Sequence, residues 1–170
     1  MKRNVLVSLL LLATAAPVAA LADEAVAKFK GGIGVIPVSS APGPAPTAAT
    51  VTRNIVRGVQ PPGQLWTISD LAAVVTDRGE ISVSGKGLLL AGGNGLGTNA
   101  NAKVFATVIC EAAAPFVEHS TDLAGVALDP SGDFRIDDDL TPTLTECASP
   151  VLLIRNAANQ AWFAAGIVKR

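Results

Sequence analysis

Tyrosine is absent from this chain, and aromatic residues of every kind are scarce: two tryptophans and five phenylalanines among 170 residues. Broad sugar- and protein-binding faces draw on tyrosine and tryptophan. The scarcity therefore argues against such a face and leaves room for a small site. Histidine occurs once and cysteine twice, a poor supply for a zinc centre. No Cys-x-x-Cys occurs, which argues against disulfide exchange as an activity, and no Gly-x-Ser-x-Gly presents a nucleophile on a strained turn. No Asn-x-Ser/Thr sequon marks a glycosylation site. Basic residues nowhere form a block, and 13 of them stand against 14 acidic residues. Nucleic acid and anionic membrane both demand clustered Lys and Arg, so neither is expected as a partner. Past residue 22 no apolar run approaches the roughly 18 residues that cross a bilayer as a helix.

What is present begins with an address. Lys2 and Arg3 precede a short apolar run from Val5 to Leu12, and Ala20-Leu21-Ala22 supplies the small-x-small pattern of a cleavage site. Residues 1–22 read as a secretory signal peptide cut before Asp23. Removing Lys2 and Arg3 from the 13 basic residues leaves 11 against 14 acidic ones in the 148 that remain of 170. Export to the periplasm or beyond is the expectation, with no membrane insertion after cleavage. No Cys stands at the cut to carry a lipid, and the chain ends in Lys169-Arg170 rather than on an aromatic residue.

Residues 23–50 read as an extended Pro/Ala-rich segment. Its part from Pro37 to Thr50 is expected to be a linker or a long exposed loop. The folded domain is predicted over 51–170. There the pattern is of short strands. Glu80-Ile81-Ser82-Val83-Ser84 and Asp133-Phe134-Arg135-Ile136-Asp137 alternate polar and apolar residues, which marks strands with one wet face. Lys103–Cys110, Val151–Arg155 and Trp162–Val168 are further strands, and a strand is preferred over Leu71–Val75 to a brief helix capped by Asp70. Gly92–Asn101 is expected to be a mobile Gly/Asn loop, and Asp129-Pro130-Ser131-Gly132 has turn chemistry. Eight or nine short strands with no long helical period imply an all-β fold. A single antiparallel β-sandwich is preferred and a barrel comes second.

Chemistry is thinly signalled. Gly79–Gly87 ends in Gly-Lys but has the wrong spacing for a phosphate loop. Gly92–Gly97 is glycine-rich with Thr98 where a dinucleotide loop has its third glycine. Asp129, Asp133, Asp137, Asp138 and Asp139 are the best calcium candidates, though a solvated turn and strand end is the plainer reading. Asp133, Asp137, Asp138 and Glu146 are the carboxylates a small hydrolase would use. His119 reads as a surface residue. Trp66, Trp162 and Phe163 read as core before pocket. No cofactor is implied. Cys110 and Cys147 have one possible intramolecular pairing. In an oxidising compartment they are expected as a disulfide, the alternatives being free thiols or a redox pair.

The runs Val104–Cys110, Gly132–Ile136, Cys147–Arg155 and Trp162-Phe163-Ala164 together resemble uncharacterised exported bacterial proteins with small, disulfide-bridged β-rich domains. In these a Cys ending one strand pairs with a Cys just before a Pro-led strand. The likeness covers residues 50–168. It implies a fold and the Cys110–Cys147 bridge, and no activity. The sequence thus points to an exported, non-enzymatic protein of binding or structural role. A hydrolase and a Ca²⁺-stabilised module are the alternatives.

Overall fold

The computed structural model describes residues 23–41, 50–144 and 146–169. The expected signal peptide, and residues 42–49 of the expected linker, lie outside these. The described strands are β1 (Ala25–Gly34), β2 (Val38–Ala41), β3 (Thr50–Arg53), β4 (Trp66–Thr67), β5 (Asp70–Thr76), β6 (Glu80–Lys86), β7 (Leu89–Leu90), β8 (Lys103–Ile109), β9 (His119–Ser120), β10 (Val126–Ala127), β11 (Phe134–Asp139), β12 (Val151–Asn156) and β13 (Trp162–Val168). No helix occurs among the described residues. The fold is all-β, and every strand pairing is antiparallel.

Most strands join one sheet in the order β10-β8-β12-β13-β1-β5-β6-β11, with β9 pairing with β8 off that path. The alternation seen in the sequence sets which side is buried. Ile81 and Val83 on β6, and Phe134 and Ile136 on β11, face inward, while Ser82, Ser84, Arg135 and Asp137 face out. Leu71, Ala73 and Val75 do the same on β5. The inward residues fill one core with Phe29, Val104, Val108, Leu152 and Ile154. The sheet curls so far that its ends nearly meet. Ser120 on β9 pairs with Thr141 beyond β11, through N–H···O bonds of 3.0 and 2.8 Å. The arrangement is barrel-like, closed by a two-residue strand.

Three expectations need correction. The folded sheet starts at Ala25 rather than near Val51, because β1 lies between β13 and β5 and pairs with both. Its Ala27 and Phe29 are buried while Lys28 and Lys30 are exposed, the same period-two pattern that identifies β6. The flanks of the Pro/Ala-rich segment are not free linker either, since β2 pairs with β3 from Val38–Arg53 to Ala41–Thr50. The Gly92–Asn101 loop is pinned as well. Leu90 exchanges backbone bonds with Gly97 and Thr98, and the Asn99 amide donates to the carbonyls of Leu128 and Asp129 at 3.1 and 2.7 Å.

Candidate functional site

The fold separates the carboxylates that the sequence groups. Asp129 closes its own turn: Oδ1 accepts from the Ser131 amide and hydroxyl and from the Asp133 amide, at 2.8, 2.7 and 2.9 Å. These donors, the Ser131 hydroxyl above all, hold its pKa below the usual aspartate range. Asp133 accepts from the Gly87 amide at 2.9 Å, which ties the turn to the end of β6. Asp137 points outward from β11. There Arg135 donates to both its oxygens, at 2.6 and 2.9 Å, and Ser82 donates at 2.5 Å. The Arg135 guanidinium is the main reason its pKa is lowered. Asp138 accepts from the amides of Asp122 and Asp139, both at 2.8 Å. Glu146 is exposed on the loop before Cys147. Glu80, Asp137, Asp138 and Asp139 do border one open groove of about 510 Å³. A general acid needs a raised pKa, and the shift at Asp137 runs the other way. Among the described residues no three His, Cys, Asp or Glu side chains gather closely enough to hold a metal ion.

His119 lies half-buried on β9, and its Nδ1 donates to the Pro142 carbonyl at 2.7 Å. Beside it is a residue the sequence reading passed over. Arg155 is only 4% exposed. Its Nη1 donates to Glu118 at 2.5 Å and to the Thr107 hydroxyl at 3.3 Å, its Nε donates to the Gln160 carbonyl at 2.8 Å, and its guanidinium lies 5.2 Å from the Phe105 ring centre. Arg155 and Glu118 border a cavity of about 400 Å³ that also meets Ser120 and Asp122. The only sequence signal was a charge at the end of an otherwise apolar strand.

Trp66 and Phe163 stack at 3.9 Å with a 14° interplanar angle, and Trp162 donates its indole N–H to the Asn54 carbonyl at 3.0 Å. All three are buried. Trp66 and Phe163 form the apolar floor of a cavity of about 500 Å³, whose polar rim includes Asn101, Lys103 and Asn156. Ala100 and Asn101 at this rim both have positive φ, 49° and 51°. Asn tolerates that conformation, whereas Ala pays about 1–2 kcal/mol for it. Strain held beside an aromatic-floored cavity of ligand size makes this the best candidate binding site.

Cys110 and Cys147 form a disulfide with Cα atoms 4.8 Å apart. The bridge joins the end of β8 to the chain leading into β12. Arg57, another residue without a sequence signal, buttresses the same corner. It donates to the carbonyls of Ile109, Glu111 and Ser149 and to the Ser149 hydroxyl. No family model, curated protein or solved structure matches this chain.

Proposed function

We propose an exported, non-enzymatic β-domain that acts by binding, with the Trp66–Phe163 cavity as its site. The observation that carries the reading is the dispersal of the acids. Asp129, Asp133 and Asp138 serve turns and amides, and Asp137 is neutralised by Arg135. Every carboxylate with a resolved shift is lowered, Glu111 by backbone donors, that of Val117 first. A carboxylate-pair hydrolase needs the opposite: two converging acids, at least one held protonated near neutrality. The disulfide fits an oxidising compartment, and so supports export. A polar outside and apolar inside, the reverse of a lipid-embedded barrel, supports a protein that leaves the membrane after cleavage.

Two measurements test the reading. Intact mass of the exported form should correspond to a chain starting at Asp23. Ester, glycoside and peptide substrates, assayed from about pH 4 to about pH 8, should turn over no faster than in buffer. Turnover that Asp137→Asn or Asp138→Asn abolishes would sink the non-enzymatic reading.

A further inference from the structure

Antiparallel pairing brings the walls of the Trp66–Phe163 cavity to one mouth of the curled sheet. Asn156 at the end of β12 faces Val104 at the start of β8, and Phe163 lies at the start of β13 beside that same end of β12. Mouths of barrels are regular places for small ligands. The stacked Trp66 and Phe163 close the bottom. The sides are built largely from alanines of three turns, Ala100, Ala124, Ala157 and Ala158. Their methyl groups keep the space open and make its sides apolar. Leu123 stands at the border with about half its surface in solvent. An apolar body seated on the floor would cover it. Charge enters in one place. Among the described residues Lys103 is the sole charged residue bordering the cavity; it is exposed and has no ion-pair partner. Asp122, next to Leu123, has its Oδ1 on the Ala124 amide at 2.9 Å and borders the Arg155 cavity instead. Two amides complete the rim. Asn156 Oδ1 accepts from the Ala158 amide at 3.0 Å, which leaves Nδ2 to donate elsewhere, and the Asn101 side chain has no partner among the described residues. The rim is set before any ligand arrives: the Asn101 backbone amide donates to Asn99 Oδ1 at 3.0 Å, and Asn99 is itself tied to the Leu128 and Asp129 carbonyls. Groups already ordered lose less freedom on binding.

Granting that this cavity is the binding site, we propose that it takes a compact apolar molecule carrying a single anionic head group. The apolar body lies over the Trp66–Phe163 floor and against Leu123. The head group sits at the rim, where Lys103 supplies the opposite charge and the Asn156 and Asn101 amides supply hydrogen bonds. A cationic molecule of the same shape meets Lys103 as a like charge, with no acid on the walls to offset it. A neutral one gains the floor and forgoes the pairing. Because Lys103 stands in solvent, its share of the affinity is modest, about fivefold, and falls with salt. The floor sets how tightly the ligand binds, and the rim sets which sign of charge it carries.

Calorimetric titration of the whole purified protein at neutral pH tests this. Naphthoate, naphthalenemethanol and naphthylmethylammonium share one apolar body and differ in the head group. At low salt naphthoate should bind about fivefold tighter than the alcohol, the cation should bind weakest, and the differences should shrink at about 0.5 M salt. Lys103→Met should bring naphthoate down to the alcohol, and Lys103→Glu should put the cation first. Both alter an exposed side chain, so the fold should survive. Ala158→Trp, at an exposed position on the wall, should abolish binding of all three. Three probes that bind alike, a cation that binds best, or an order unmoved by the Lys103 variants would overturn the anionic assignment and leave the cavity a site. If no probe binds, or if Ala158→Trp changes nothing, the cavity is not a site and the assignment falls with it.

Discussion

Phe134 and Gly85 face each other across β11 and β6, and each explains the other. A methyl group added at Gly85 would run into the Phe134 ring. The ring lies over a strand position that has no side chain, which keeps that glycine out of water. Gly85→Ala should cost about 1–3 kcal/mol through overpacking. Phe134→Leu should recover part of that cost, a coupling that a double-mutant cycle in urea would measure. Arg155 makes a different kind of demand. Its charge is almost wholly buried, while Glu118 is about half exposed. Losing Glu118 strands a buried cation, whereas losing a surface carboxylate elsewhere changes little. Glu118→Ala should destabilise by about 1–3 kcal/mol, against less than about 0.5 kcal/mol for Glu146→Ala, both read from chemical denaturation. Asp129 and Asp137 give the pH dependence its sign. Folding depresses both pKa values, so each stabilises the fold above the unfolded aspartate value of about 4. That contribution is lost as pH falls below it, through the folded values. The melting temperature should therefore drop below about pH 4, and Asp129→Asn should flatten the drop.

At the level of strands, β1 sits between β13 and β5, so a chain beginning at Val51 would split the sheet and leave each of these two interior strands with one bare edge. Residues 51–170 alone should be insoluble or unfolded by circular dichroism, and a cooperative melt from that fragment would contradict the sheet order. The bridge spans 37 residues of sequence. Replacing Cys110 and Cys147 with Ala should cost about 2–5 kcal/mol, and the native protein should show no reactive thiol on titration. Most strands were legible because one face is wet. β6 and β11 announce themselves by alternation, and so did β1 in Ala27-Lys28-Phe29-Lys30, hidden by its position beside an expected cleavage site and a proline-rich run. β8 and β12 were legible as apolar runs, but not the reason for them: both faces are buried because distant loops lie over the outside. That same long-range cover places Arg57 and Arg155. No local pattern records a contact between residues 57 and 149 or 118 and 155, so the polar cavity at Arg155 could not be read from spacing. The Trp66–Phe163 stack was half legible, its residues named without their pairing.

The molecule as a whole is a sheet that almost closes, and its weakest joint is known by residue. From β8 through β12, β13, β1, β5 and β6 to β11, each neighbouring pair shares a ladder of several residues. Between β11 and β8 lie only the two-residue strands β9 and β10, and of these β9 alone reaches across, with two residues paired on one side and the single Ser120–Thr141 bridge on the other. A gap of about 200 Å³ beside it separates β10 from β11. Unzipping there breaks few bonds and leaves every long ladder whole, so it is the cheapest excursion the native state can make. The cylinder should breathe along this seam, with the amides of Ser120 and Thr141, which bond to each other's carbonyls across it, exchanging with deuterium well before that of Leu153. In such an opening β11 swings out as a free edge while the disulfide, on the far side of the seam, keeps β8 and β12 registered, so the structure gapes and recloses without losing its place.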